Sequence, residues 1–149
     1  EQMLHNFVRD PHENQRMAIE YRTGIRHPKL LAAIGYMEAY TENPLSLDRL
    51  AKSIDISVRQ LERLFQAQLG TSPAKYYLAL RLQRARQFLK RTVMSVLEVS
   101  LATGFNSASS FSRAYKKHFG YTPLEERLWF IFVFPFSLGA RVSTQNQGK

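Results

Sequence analysis

One spacing constrains this chain more than any other feature: a seven-residue pattern returns fifty positions further on. Ser57, Leu61, Arg63, Phe65, Leu69, Gly70 and Pro73 recur as Ser107, Phe111, Arg113, Tyr115, Phe119, Gly120 and Pro123. Upstream, Leu50, Ala51 and Ile56 match Val99, Ser100 and Phe105 at an offset of forty-nine. The one-residue slip falls between periodic segments, where an insertion costs little. Such self-similarity marks a duplicated supersecondary unit.

Helix punctuation gives the unit its form. Ser57-Val58-Arg59-Gln60 and Ser95-Val96-Leu97-Glu98 have the S-x-x-Q/E pattern of a capping box. Gly70 and Gly120 stand where a helix C-terminus favours glycine. Pro28, Pro73 and Pro123 suit first helical positions, where a missing N–H has no cost. Strand alternation is nearly absent. The expected fold is all-α, a seven-helix double helix-turn-helix with a long central connecting helix.

Its divisions are expected as follows. Residues 1–27 are a polar linker, helical in part, arriving from a missing N-terminal effector domain. Residues 28–92 hold the first helix-turn-helix and the connecting helix, 93–128 the second, and 129–149 an atypical aromatic, then polar, tail. Leu30, Leu31, Ile34 and Met37 should face inward near the start. Tyr76, Leu80, Ala85 and Leu89 should do so along the connector. The tail opens with WFIFVFPFSL, too short to span a bilayer, and is expected to pack as an extended strand or to be foreign to the fold.

In each copy a short helix carries a small residue, Ala51 or Ser100, for close approach. A turn with Ile56 or Phe105 follows, then a capped helix that is apolar on one side. This is the grammar of a helix-turn-helix, whose second helix enters the major groove N-terminus first. A connector of about 20 residues is about 30 Å long. Major-groove faces on one side of a duplex lie about 34 Å apart. One stiff helix of that length suits two reading helices and needs no palindromic site.

Charge points the same way. The net charge is +9. Residues 57–123 hold eleven Lys/Arg against two acids, whereas 1–56 hold seven against eight. Such a block attracts a polyanion and releases its counterions. On the first reading helix Arg59, Gln60 and Arg63 lie near the N-terminal end, where Arg suits guanine and Gln suits adenine. The structural alternative for Arg63 is a phosphate contact, or an ion pair with Glu62 or a neighbour. On the second helix the base-facing candidates include Ser109, Ser112 and Arg113, mostly short side chains. Ser57, Ser107, Lys116, Lys117 and Arg81 are expected at the DNA backbone, with some connector cations left structural.

The motifs A-x-x-x-D-I-S-x-R-x-L-x-R-x-F (51–65), G-x-S-P (70–73), R-L-x-x-A (81–85), G-F-x-S-x-S-x-F-S-R-x-Y-K (104–116) and F-G-x-T-P (119–123) resemble the AraC/XylS family of bacterial transcription regulators. The resemblance covers residues 28 to about 127. It implies activation through RNA polymerase and assigns base reading to Arg59, Gln60, Arg63, Ser109, Ser112 and Arg113. The approach, Gln15-Arg16-Met17 to Gly24-Ile25-Arg26-His27-Pro28-Lys29-Leu30, resembles regulators with an N-terminal amidotransferase-like (DJ-1/PfpI-type) domain. A small-molecule effector would act only through that domain. The family usually closes S/T-P-x-x-Y-R, and Glu126 replaces the Tyr here.

Other classes fit less well. Four His residues, at 5, 12, 27 and 118, show no metal-ligand spacing, and no catalytic grouping is evident, so neither an enzyme nor a cofactor is expected. The absence of cysteine fits a cytoplasmic setting. The opening, EQMLHNFVRD, has neither an initiator Met nor a signal-peptide pattern, which suggests a piece of a longer protein. Double-stranded DNA is the expected partner, with no membrane. The rival is a basic membrane-surface or protein-interaction helical module.

Overall fold

The computed structural model of the chain describes residues 11–133. Among them are eight helices and no strand: α1 Pro11–Thr23, α2 Pro28–Ala39, α3 Leu47–Ser53, α4 Val58–Leu69, α5 Pro73–Arg91, α6 Val96–Ala102, α7 Ala108–Phe119 and α8 Pro123–Val133. The chain divides into two compact units, residues 1–78 and 79–149.

In the first unit the apolar stripes meet as periodicity demands. Leu30, Ile34 and Met37 of α2, Leu50 of α3, and Leu61 and Phe65 of α4 are wholly buried. Burying a side chain of this size contributes about 1.5–3 kcal/mol. Within the segment expected to be helical in part, α1 packs on α2. Ile19 supplies its buried residue, and Arg22 meets Glu38 at 2.8 Å. A single anchoring isoleucine among mixed charges leaves no stripe for sequence reading to find.

The connector α5 is one continuous helix of 19 residues. Its inward residues differ from expectation: Tyr77, Leu82, Ala85 and Leu89 are buried, while Tyr76 and Leu80 are half-buried. The helix begins in one unit and ends in the other. Its buried residues therefore follow two registers rather than one 3.6-residue stripe. Leu82, Ala85 and Leu89 join Val99, Phe111 and Tyr115 in the core of the second unit.

The last helix also corrects the reading. Residues 129–133, expected to be strand or foreign tail, continue α8 in helical form. A capping box holds its start: Thr122 Oγ1 accepts from Glu125 N at 3.2 Å, and Glu125 Oε2 accepts from Thr122 N at 2.6 Å. Residues 134–149 lie outside those described.

Candidate nucleic-acid interface

The duplication seen in sequence is a duplication of hydrogen bonds. Ile56 N donates to Ala51 O at 3.1 Å, and Phe105 N donates to Ser100 O at 2.9 Å. Asp55 (φ 56°) and Gly104 (φ 78°) each take the left-handed conformation that reverses the chain. Asp tolerates this region better than most residues, and Gly has no Cβ to oppose it. Ala51 and Ser100 are buried at the close approach that the small side chain permits.

A cation from another helix closes each turn. In the first unit, Lys29 Nζ donates to Ile54 O at 2.5 Å. In the second, Arg81 donates from Nε to Thr103 O and from Nη2 to Gly104 O, both at 2.7 Å. The Arg81 guanidinium also lies 4.3 Å from the Phe105 ring centre. These bonds satisfy carbonyls at the C-terminal ends of α3 and α6 that have no intrahelical partner. Two of the Arg81 donors, Nε and Nη2, thus hold the turn. Sequence reading missed Lys29, which lies twenty-five residues from its acceptor.

The reading helices then present their polar sides. On α4, Leu61 and Phe65 face inward, while Arg59, Gln60, Arg63 and Gln66 are exposed. Among the described residues neither Arg59 nor Arg63 joins an ion pair, so the expected alternative of an Arg63–Glu62 bridge is not formed. Ser57 caps α4 through Gln60 N at 3.1 Å, and Gln60 Oε1 accepts from Ser57 N at 2.8 Å. Gln60 therefore takes part in the cap, and that bond leaves its NH2 group uncommitted.

On α7, Phe111 and Tyr115 are buried, Ser109 and Arg113 are exposed, and Ser112 is half-buried. Ser107 Oγ accepts from Ser110 N at 3.1 Å and lies 3.0 Å from Ser110 Oγ. Lys116, Lys117 and His118 are exposed in the last turn, where positive charge suits the helix dipole.

Not every cation of the basic segment faces solvent. Arg86 Nε and Lys90 Nζ each lie 3.3 Å from Glu126 Oε1. Glu126 is 3% exposed and also accepts from the Tyr115 hydroxyl at 3.1 Å. Burial pushes its pKa up, but hydrogen bonds from Tyr121, Tyr115 and Arg86 outweigh burial and hold the carboxyl below its usual range. Burial and the nearby carboxylate push the Tyr115 hydroxyl up, so it remains a donor.

Two further residues bind the ends of the longer helices. Tyr77 Oη donates to Tyr40 O at 2.5 Å and accepts from Leu45 N at 3.2 Å, beyond the end of α2. Fifty positions on, Arg127 donates to Leu89 O at 3.4 Å and to Met94 O, beyond α5. The repeat thus extends past Pro73 and Pro123, although unlike residue types had hidden it.

Comparison with known proteins places this geometry. The model of a helix-turn-helix domain family matches residues 50–128. The chain is 45% identical over 127 residues to the HTH-type transcriptional regulator GbdR of Pseudomonas aeruginosa, covering 85% of this chain and 35% of that protein. It is 52% identical to a transcriptional regulator with an AraC-type DNA-binding domain from Chromobacterium violaceum, with a TM-score of 0.67, covering 69% of this chain and 92% of that one. The DNA-binding domain of AdpA, solved in complex with a target DNA, shares the fold at 21% identity and a TM-score of 0.69, covering 74% of this chain and 99% of that one. The chain spans a little over a third of the length of these curated relatives.

Proposed function

The chain belongs to the AraC-type helix-turn-helix DNA-binding domains, and we propose that it reads double-stranded DNA with α4 and α7 in successive major-groove segments, as the DNA-binding part of a bacterial transcription regulator. The observation that carries this reading is the repeated device of left-handed turn, cation clamp and capped helix. In both copies the helix is apolar below and carries free arginine above.

Base contacts fall to Arg59, Gln60 and Arg63 on α4 and to Ser109, Ser112 and Arg113 on α7. Arg59 and Arg63 are exposed and unpaired, which suits bidentate contact with guanine. The shorter α7 side chains read fewer bases and lean on the backbone. Ser57, Ser107, Lys116 and Lys117 serve phosphates, where contacts position without specifying. The helix α5 that leads from one unit into the other is unbroken over its 19 residues.

The regulator works in the cytoplasm, activates through RNA polymerase and receives its effector through an upstream amidotransferase-like domain; the resemblance of residues 15–30 supports that last part. Selection of bound duplexes from a random pool tests the core of the proposal. An enriched, non-palindromic site with a steep loss of affinity on adding salt is expected. Equal retention of every sequence, or stronger binding to anionic vesicles than to any duplex, contradicts it.

A further inference from the structure

Glu126 places a carboxylate inside the second unit. An unpaired buried charge is strongly unfavourable, so its partners define its role. They come from two helices and, through Tyr121, from the turn before α8. From α5, Arg86 and Lys90 reach Oε1 at 3.3 Å each. From α7, the Tyr115 hydroxyl reaches Oε2 at 3.1 Å. Arg86 Nη2 also donates to the Tyr121 hydroxyl at 3.1 Å. One carboxylate therefore joins α8, α5 and the middle of the second reading helix.

The first unit solves the same problem differently. Fifty positions earlier, Phe65 and Tyr76 occupy the places of Tyr115 and Glu126. Their rings meet edge to face, with centres 5.5 Å apart and planes at 67°. Phe65 has no hydroxyl and asks for no acceptor. Ring packing tolerates small rotations of a helix. A carboxylate held by a tyrosine and two cations sets direction as well as distance. Tyr115 lies on α7 two residues from Arg113 and three from Ser112, so its orientation fixes theirs.

We propose that Glu126 is the positioning residue of the second reading helix: through Tyr115, Arg86 and Lys90 it fixes the rotation of α7 against α5, and so aims Ser109, Ser112 and Arg113 at the second half of the DNA site. The aim at DNA rests on the function proposed above; the fixing of α7 does not.

The test uses the whole chain and the duplex it selects from a random pool, with either half intact or scrambled. Glu126→Gln keeps the side-chain shape but leaves Arg86 and Lys90 without a counter-charge. It should bind the intact duplex about tenfold more weakly, within the range of couplings in such networks. It should bind the duplex with a scrambled second half as the unsubstituted chain does. Without DNA, Glu126→Gln should speed amide exchange over residues 108–119 and leave 58–69 unchanged. Unaltered affinity, equal weakening on both duplexes, or unchanged exchange in α7 would overturn the proposal. If no sequence is enriched at all, the DNA reading fails, and the exchange measurement still decides the positioning.

Discussion

Asp55 and Gly104 hold the same left-handed turn with different chemistry. A Cβ at Gly104 meets the steric penalty of that region, about 1–2 kcal/mol. Gly104→Ala should therefore lower the melting temperature of the second unit, and Asp55→Gly should leave the first nearly unchanged; equal losses at both sites would contradict the shared turn. At the reading surface, Arg59→Ala should cost about 1–3 kcal/mol on the selected duplex and relax choice at one base. Lys116→Ala should weaken all duplexes alike. Competition binding against single-base variants separates these outcomes. The types and spacing of Ser57, Leu61, Phe65 and Gly70 were legible because caps, stripes and turns act locally. Lys29, Tyr77 and Glu126 were not, because each acquires its role from a partner distant in sequence.

The elements depend on a few buried polar ties as well as on apolar stripes. Arg81 links α5 to the turn after α6, so Arg81→Met should loosen that turn and raise amide exchange at Thr103, Gly104 and Phe105. Unchanged exchange there would return Arg81 to a solvent role. The tie from α8 has a pH signature. The Glu126 carboxyl is held below its usual range in the folded chain, so unfolding raises its affinity for protons. Its stabilising contribution is full above the ordinary carboxylate range, about pH 4–5, and is lost as pH falls through the lower folded value. Thermal melts across that window should fall less steeply in Glu126→Gln than in the unsubstituted chain. Both capping boxes, at Ser57–Gln60 and Ser95–Glu98, form as the sequence indicated. The inward register of α5 was misjudged because one helix serves two cores. The bounds of α1 are hard to find in the sequence because, among the described residues, Ile19 alone marks its buried side.

At the scale of the molecule, sequence repeat and charge placement agree on one design: two like units, each offering a capped helix with a polar outer side. The basic segment divides by use. Arg59, Arg63, Arg113, Lys116 and Lys117 face solvent, whereas Arg81, Arg86 and Lys90 bind the protein itself. Net charge alone could not make that division, because a guanidinium near a carbonyl and one near a phosphate look alike in sequence. The central claim is that one chain engages two neighbouring groove segments from one side of the duplex. Hydroxyl-radical footprinting on the selected site addresses it most directly. Two protected tracts about 10 base pairs apart on the same face are expected, the second lost in Arg113→Ala. A single tract, or two on opposite faces, would contradict it.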